Sequence, residues 1–186
     1  KGMAERQKFN SGDTIEATSA IAFDLFTTDK QDLANNNNGV YKILATANGQ
    51  TFFSAHYHRI NFNTTRFINA HVNFEQYFKE GVRYTRLYTL ENNPLELTES
   101  PALTTASFST VRGWFSVAKD SLVEVDVRIE DYANNSSTLR FFIRGGEPVL
   151  TELPLDRLRW DENNALEIGP VKVNVPEGAL YQDAYF

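Results

Sequence analysis

The chain of 186 residues contains no cysteine. That absence excludes disulfides, thiolate zinc sites and cysteine nucleophiles, while leaving the redox compartment open. No run of residues is long and apolar enough to cross a bilayer as a helix, so no membrane span is expected. Lys and Arg do not cluster, and the formal net charge is −6. A surface that tracks phosphates needs the opposite balance, so nucleic acid is not an expected partner. No serine sits in a G-x-S-x-G elbow. The ten glycines are isolated at turn positions apart from Gly145-Gly146, and none builds a phosphate cradle. Residues 1–9 lack the basic-then-apolar pattern of a signal peptide. The chain opens without an initiator methionine and stops soon after a strand-like run, so it is expected to be an excerpt of a longer protein.

What the chain does have is apolar residues, 41% of the total, and aromatic residues, 13%. Most of them fall in short alternating runs, the signature of half-buried strands. Residues 14–17, 21–26 and 40–46 read this way, and Asn48-Gly49 is a two-residue hairpin turn returning the chain into residues 51–62. Residues 82–90, 108–111 and 114–117 follow, the last two bracketing Arg112-Gly113. In the clearest pair, Val123, Val125, Val127 and Ile129 alternate with charged residues, and Leu139, Phe141 and Ile143 return opposite them. Between them lies Asp131-Tyr132-Ala133-Asn134-Asn135-Ser136-Ser137, rich in side chains that bond their own backbone. One helix is expected over residues 70–79. The pattern predicts an all-β fold, an antiparallel immunoglobulin-like β-sandwich. Its boundary is placed at Gly145-Gly146-Glu147-Pro148: residues 1–145 form the module, with its first strands open to truncation. Residues 146–186 form a linker and the opening strands of a second β-domain or an add-on to the first.

Three constellations could carry chemistry. His56 and His58 are spaced H-x-H, which on a strand puts both imidazoles on one face, and His71 follows near Glu75; together they are candidate zinc ligands. The opposing reading puts Phe53, Ala55 and Tyr57 into the core and leaves His56 and His58 in solvent. Asp29, Asp32 and Asn35, within an Asn-rich loop, are candidate calcium ligands, although their spacing does not match an EF-hand and such loops also occur without a metal. Asp131, Asn134 and Asn135 invite the same question and are equally explained as a side-chain-capped turn. Tyr84, Tyr88 and Trp114 could form a stacking platform for carbohydrate or peptide, or could simply pack. The many Asp and Glu residues leave a glycosidase pair open, but most alternate outward along strands.

Several motifs add a resemblance. Asn37-Asn38-Gly39-Val40-Tyr41, Arg59-Ile60-Asn61-Phe62 and the run from Thr65 to Glu75 are similar to a pattern in Bacteroidetes envelope proteins. Glu130-Asp131-Tyr132-Ala133-Asn134-Asn135-Ser136 resembles that family's D-x-x-G-N-x-S hairpin, with Ala133-Asn134 where glycine is usual. Val173-Asn174-Val175-Pro176-Glu177-Gly178-Ala179-Leu180-Tyr181 resembles the V-x-I-P-x-G-A-L-Y opening of the next domain. The resemblance spans about residues 12 to 183. It implies a β-sandwich accessory region C-terminal to a lysostaphin-like zinc metallopeptidase domain. That peptidase uses an H-x-x-x-D motif followed, well downstream, by H-x-H. Here His71 and Glu75 imitate the first with Glu for Asp, and they come after His56-Tyr57-His58 instead of before. No catalytic residue is therefore carried over, and zinc is expected only in the parent's peptidase domain.

The expected function is that of a non-catalytic module in the periplasm or cell envelope. It would position an adjacent peptidase or bind peptidoglycan or an envelope protein partner. The alternative is a zinc-dependent hydrolase using His56, His58 and His71. A calcium-stiffened structural domain is the third reading.

Overall fold

The computed structural model describes residues 8–30, 37–149 and 156–185. Nine strands, numbered in chain order, make two sheets. They are β1 (Thr14–Ala17), β2 (Lys42–Ala47), β3 (Gln50–His56), β4 (Thr98–Glu99), β5 (Leu103–Thr104), β6 (Phe108–Val111), β7 (Trp114–Val117), β8 (Leu122–Glu130) and β9 (Ser136–Gly145). The larger sheet has the order β1-β9-β8-β2-β3-β4, and the smaller one β7-β6-β5. All neighbours are antiparallel except β1, which runs parallel to β9. The all-β expectation thus holds at the level of class.

The pleat sorts the large sheet's side chains. Ile43, Ala45 and Ala47 on β2, Val123, Val125 and Val127 on β8, and Phe141 and Ile143 on β9 are all buried on one face. The residues between them are more exposed, and Arg140 there forms a two-point ion pair with Asp126 at 2.7 and 2.8 Å. Asn48 and Gly49 both take positive φ, the requirement of the tight turn their sequence announces. The register then slips between Ala45 and Thr46, leaving one extra residue on β3. Such a bulge lets neighbouring side chains share a face, and Phe52 and Phe53 are both fully buried.

The second layer covers that face. Ile21 exchanges backbone hydrogen bonds with Phe115, Asp24–Leu25 pairs with Thr85–Arg86, and the Leu87 amide donates to the Phe23 carbonyl at 2.9 Å. The sequence predicts a strand over residues 82–90, but only Thr85–Arg86 forms a ladder. The rest of that run is tied by single bonds, such as the Thr89 amide to the Arg112 carbonyl. Phe115 joins the layers: its ring centroid lies 4.6 Å from Phe52, 5.8 Å from Phe23 and 6.0 Å from Phe108.

The expected helix over residues 70–79 is two shorter ones, α1 (Ile68–His71) and α2 (Phe74–Glu80). Val72 between them is extended, and the Asn73 side chain accepts from the Gln76 amide to cap α2. Residues 51–62 also differ from expectation: β3 ends at His56, and the chain turns away through a short 3-10 helix, Thr65–Phe67.

Beyond the boundary placed at residue 145, Gly146 and Val149 still donate to the carbonyls of Ala17 and Thr18. The alternating run of residues 167–175 is one part of a hairpin, β10 (Asn164–Ile168) and β11 (Val171–Val175), turning at Gly169-Pro170. Arg157–Leu158 pairs with Ala184–Tyr185. Asn92 holds this segment to the remainder through its side-chain amide, which donates to the carbonyls of Gly178 and Leu180. Among the described residues no helix is long and apolar enough to cross a membrane.

Gly113 marks the closest approach of chain segments in the second layer. A Cβ there would lie 2.4 Å from the Leu87 carbonyl oxygen and 2.7 Å from the Tyr88 Cα, at φ +84°. Gly49 has a similar φ of +78° but open space around it. Gly113→Ala is therefore expected to lower stability by about 2 kcal/mol or more, against roughly 1 kcal/mol for Gly49→Ala. Urea midpoints of the two variants check this; equal losses would contradict the close packing at Gly113.

Candidate functional site

At one end of the fold a cleft of about 490 Å³ opens, within the size range of small-ligand sites. Thr27, Asp29, Asn38 and Gly39 line it from the connection between the layers, Tyr41 from the approach to β2, and Tyr132 from the β8–β9 turn. Tyr57, Ile68, His71 and Val72 line it from the chain that leaves β3.

Local chemistry fixes each wall. The Tyr41 amide donates to the Glu130 carbonyl, and the Tyr57 amide donates to the Tyr41 carbonyl, so both tyrosines continue the ladder past the strand ends. Tyr132 stands in a turn that Asp131 closes, its two carboxylate oxygens accepting from the Asn135 amide at 2.8 Å and from the Asn135 side chain at 2.7 Å. Those bonds, the side-chain one first, hold the Asp131 carboxyl below the usual range. They also account for Asp131 and Asn135 as turn residues, and Asn134 between them takes the positive φ the turn needs. Tyr132 is 85% exposed, and its ring meets Tyr41 edge-on, 5.4 Å between centroids at 81°.

The floor is buried. Tyr57 Oη and His71 Nε2 are 2.6 Å apart, and the His71 ring stacks over Phe53 at 15°, 6.2 Å between centroids. Burial, with a smaller contribution from the nearby Arg86 charge, pushes the His71 imidazole down to about 4. Burial likewise pushes the Tyr57 phenol up. Near neutral pH both groups are uncharged. The single imidazole proton is on Nδ1 when the hydroxyl donates to Nε2, and on Nε2 when the hydroxyl accepts.

Beneath His71 a polar network anchors the helices to the second layer. Asn73 Nδ2 donates to Asp24 Oδ2 at 2.6 Å, the Asn73 amide donates to the Tyr84 carbonyl, and Arg86 donates to the Ala70 carbonyl at 2.7 Å. Asp24 and Arg86 face each other across their ladder, and Asp24 Oδ1 and Arg86 Nε are buried without a hydrogen-bond partner among the described residues.

The histidines do not share a site. His56 and His58 are exposed with ring centroids 4.4 Å apart, whereas His71 is 3% exposed and bonded to Tyr57. Among the described residues no group of three or more His, Asp or Glu is arranged to hold a metal ion. For calcium, Asp32 and Asn35 lie outside the described residues, and Asp29 pairs with Asn38 in a short ladder that borders the cleft. Tyr88 and Trp114 of the proposed platform are in contact, 5.2 Å apart at 62°, with Arg86 over the Tyr88 ring at 5.6 Å. Tyr84 instead packs on Phe26. The sequence alone does not mark Tyr41, Tyr57 or Tyr132 as site residues. The available signal was their position, each just outside a strand end or within a turn.

No family model, curated protein or solved structure matches this chain.

Because His71 is held near 4 against an ordinary value of 6.5, the unfolded chain takes up this proton first as pH falls. The stability tied to a neutral His71 is complete above about pH 6.5 and is lost towards pH 4, amounting to about 3 kcal/mol at most. His71→Gln can still accept from Tyr57 but does not titrate. Denaturation midpoints measured from pH 7 to pH 4 should fall less steeply for this variant than for the parent; identical slopes would contradict a buried neutral imidazole.

Proposed function

We propose that this chain is a non-catalytic, immunoglobulin-like β-sandwich module of a cell-envelope protein of the murein-peptidase type, binding peptidoglycan through the tyrosine cleft and so positioning an adjacent peptidase domain. The observation that carries the reading is where the cleft lies. The connection between the layers, the β8–β9 turn and the chain after β3 gather at one end and wall a single cavity. Immunoglobulin-like modules use one end of the sandwich in this way, with loops doing the binding and strands holding them in place. The sheet order supports the comparison, since β1 lies parallel to the last strand at the edge of a β9-β8-β2-β3 sheet. The architecture supports the place of the site, and the ligand class follows from the motif resemblance.

Tyrosine suits the role. It offers a broad rigid ring and a hydroxyl, with little side-chain freedom to lose on binding. The periplasm or cell envelope is the corresponding location, and any zinc belongs to the parent's peptidase domain. The zinc-hydrolase reading requires His56, His58 and His71 around one ion. Two exposed rings and one buried ring bonded to Tyr57 lend it no support.

Sedimentation of the intact chain with purified peptidoglycan sacculi tests the proposal. Retention of the parent chain is expected, with retention reduced at least fivefold in Tyr132→Ala, whose side chain is too exposed to matter for folding. Trp114→Ala should be retained like the parent. No retention of the parent would reduce the module to a spacer, and loss on Trp114→Ala alone would move the site to the Tyr88–Trp114 pair.

A further inference from the structure

We infer that Asn38, on the wall of the cleft, is a self-modification site: the Gly39 backbone nitrogen displaces its side-chain amide and leaves an aspartyl or isoaspartyl residue. The inference is independent of what fills the cleft, because the reaction needs only water.

An asparagine followed by glycine is especially open to this chemistry. Glycine has no Cβ to shield its amide nitrogen, and its backbone turns freely. The sequence has two such pairs, Asn38-Gly39 and Asn48-Gly49. All four residues are exposed, so exposure does not separate the pairs.

Bonding does. Asn48 and Gly49 both hold positive φ in a tight turn. Asn48 Oδ1 accepts from the Glu124 amide at 2.9 Å, and the Asn48 amide donates to the Glu124 carbonyl at 2.8 Å. Bringing Asn48 Cγ onto the Gly49 nitrogen breaks those bonds and unwinds the turn between β2 and β3. Asn38 is held by less. Its backbone belongs to a ladder of two residue pairs with Asp29–Lys30, and a two-stranded pair so short is marginal in water. Among the described residues no hydrogen bond holds the Asn38 side chain or the Gly39 amide. A Cβ built on Gly39 would meet nothing within 4 Å, so the nitrogen has room to swing. Local opening there costs little, and it brings the reacting atoms together.

The reaction balances with water alone. The Gly39 nitrogen bonds to Asn38 Cγ, the Cγ–Nδ2 bond breaks, and ammonia leaves with the Gly39 amide proton. Water then opens the cyclic imide. Attack at Cγ gives aspartate; attack at the main-chain carbonyl gives isoaspartate, whose backbone runs through the side chain. Nothing is oxidised or reduced.

The product changes the cleft. Asn38, Gly39 and Asp29 all line it, and Asn38 lies opposite Asp29 across the ladder. Conversion sets a second carboxylate against the first, and like charges directly opposite destabilise a ladder. The added main-chain carbon of isoaspartate also upsets the alternation beyond it. The cleft wall therefore gains negative charge and loosens.

The test incubates the intact chain in mildly alkaline buffer, folded and in urea, and follows both asparagines by peptide mass mapping and isoaspartyl methyltransferase labelling. In the folded chain Asn38 should convert at least about tenfold faster than Asn48, the effect of the bonds Asn48 must break. In urea the two rates should become nearly equal. Gly39→Ala should slow conversion at Asn38 and leave Asn48 unchanged. Asn38→Asp should speed amide hydrogen exchange in the Asp29–Asn38 ladder about threefold. Equal rates in the folded chain, faster loss at Asn48, or a preference that persists in urea would overturn the inference. Unchanged exchange in Asn38→Asp would overturn the loosening of the wall.

Discussion

The contact between Phe115 and Phe52 is the constraint on which the remaining structure depends. Phe115 belongs to the short sheet and Phe52 to the bulge of β3, and both are fully buried. Burying two such rings removes a large apolar surface from water, a gain of several kcal/mol. It also sets the spacing between layers. The bulge turns Phe52 inward beside Phe53 near the Asn48-Gly49 turn, and regular pairing then runs from Phe53 to His56. The chain that leaves β3 beyond His56 crosses over the core edge. That crossing brings Tyr57 and His71 to the place where they close the cleft floor.

The cleft is thus a by-product of how the core ends. Phe53 faces the core and supports His71 by stacking, His71 bonds Tyr57, and Tyr57 continues the ladder to Tyr41. Asn73 ties the same helices to Asp24 in the second layer while capping α2. A cavity whose floor is locked to both layers is preformed, so little ordering need accompany binding. Tyr132 alone projects freely, on a turn stiffened by Asp131 and Asn135. The outer face of α2 is a separate matter: Phe74, Tyr77 and Phe78 lie there exposed, away from the cleft lining.

The strands of the large sheet were legible because one face is buried and the other wet, which imprints a period of two on Val123 to Ile129 and Leu139 to Ile143. The Asn48-Gly49 and Asp131–Asn135 turns were legible because only a few residue types tolerate their backbone or close it with a side chain. The bulge was not, since Phe52-Phe53 reads equally as a register slip or as one ring on each face. The helix break at Val72-Asn73 was hidden because Val72 is drawn out by an antiparallel bridge to Thr85, outside the local run. The site was the least legible. His56-Tyr57-His58 drew the eye to the two histidines, yet the residue between them is the one that lines the cleft. The cleft's walls come from segments far apart in sequence, and nothing local marks Tyr41 or Tyr132 as neighbours.

The central claim is that this end of the fold, and not the Tyr88–Trp114 pair or the histidine face, is where a ligand sits. Amide-shift mapping of the intact chain with soluble muropeptides tests it most directly. The account predicts the largest shifts at Gly39, Tyr41, Tyr57 and Tyr132, with those near Trp114 and His58 unmoved. A map centred on Trp114, or a spectrum unchanged by saturating muropeptide, would contradict it.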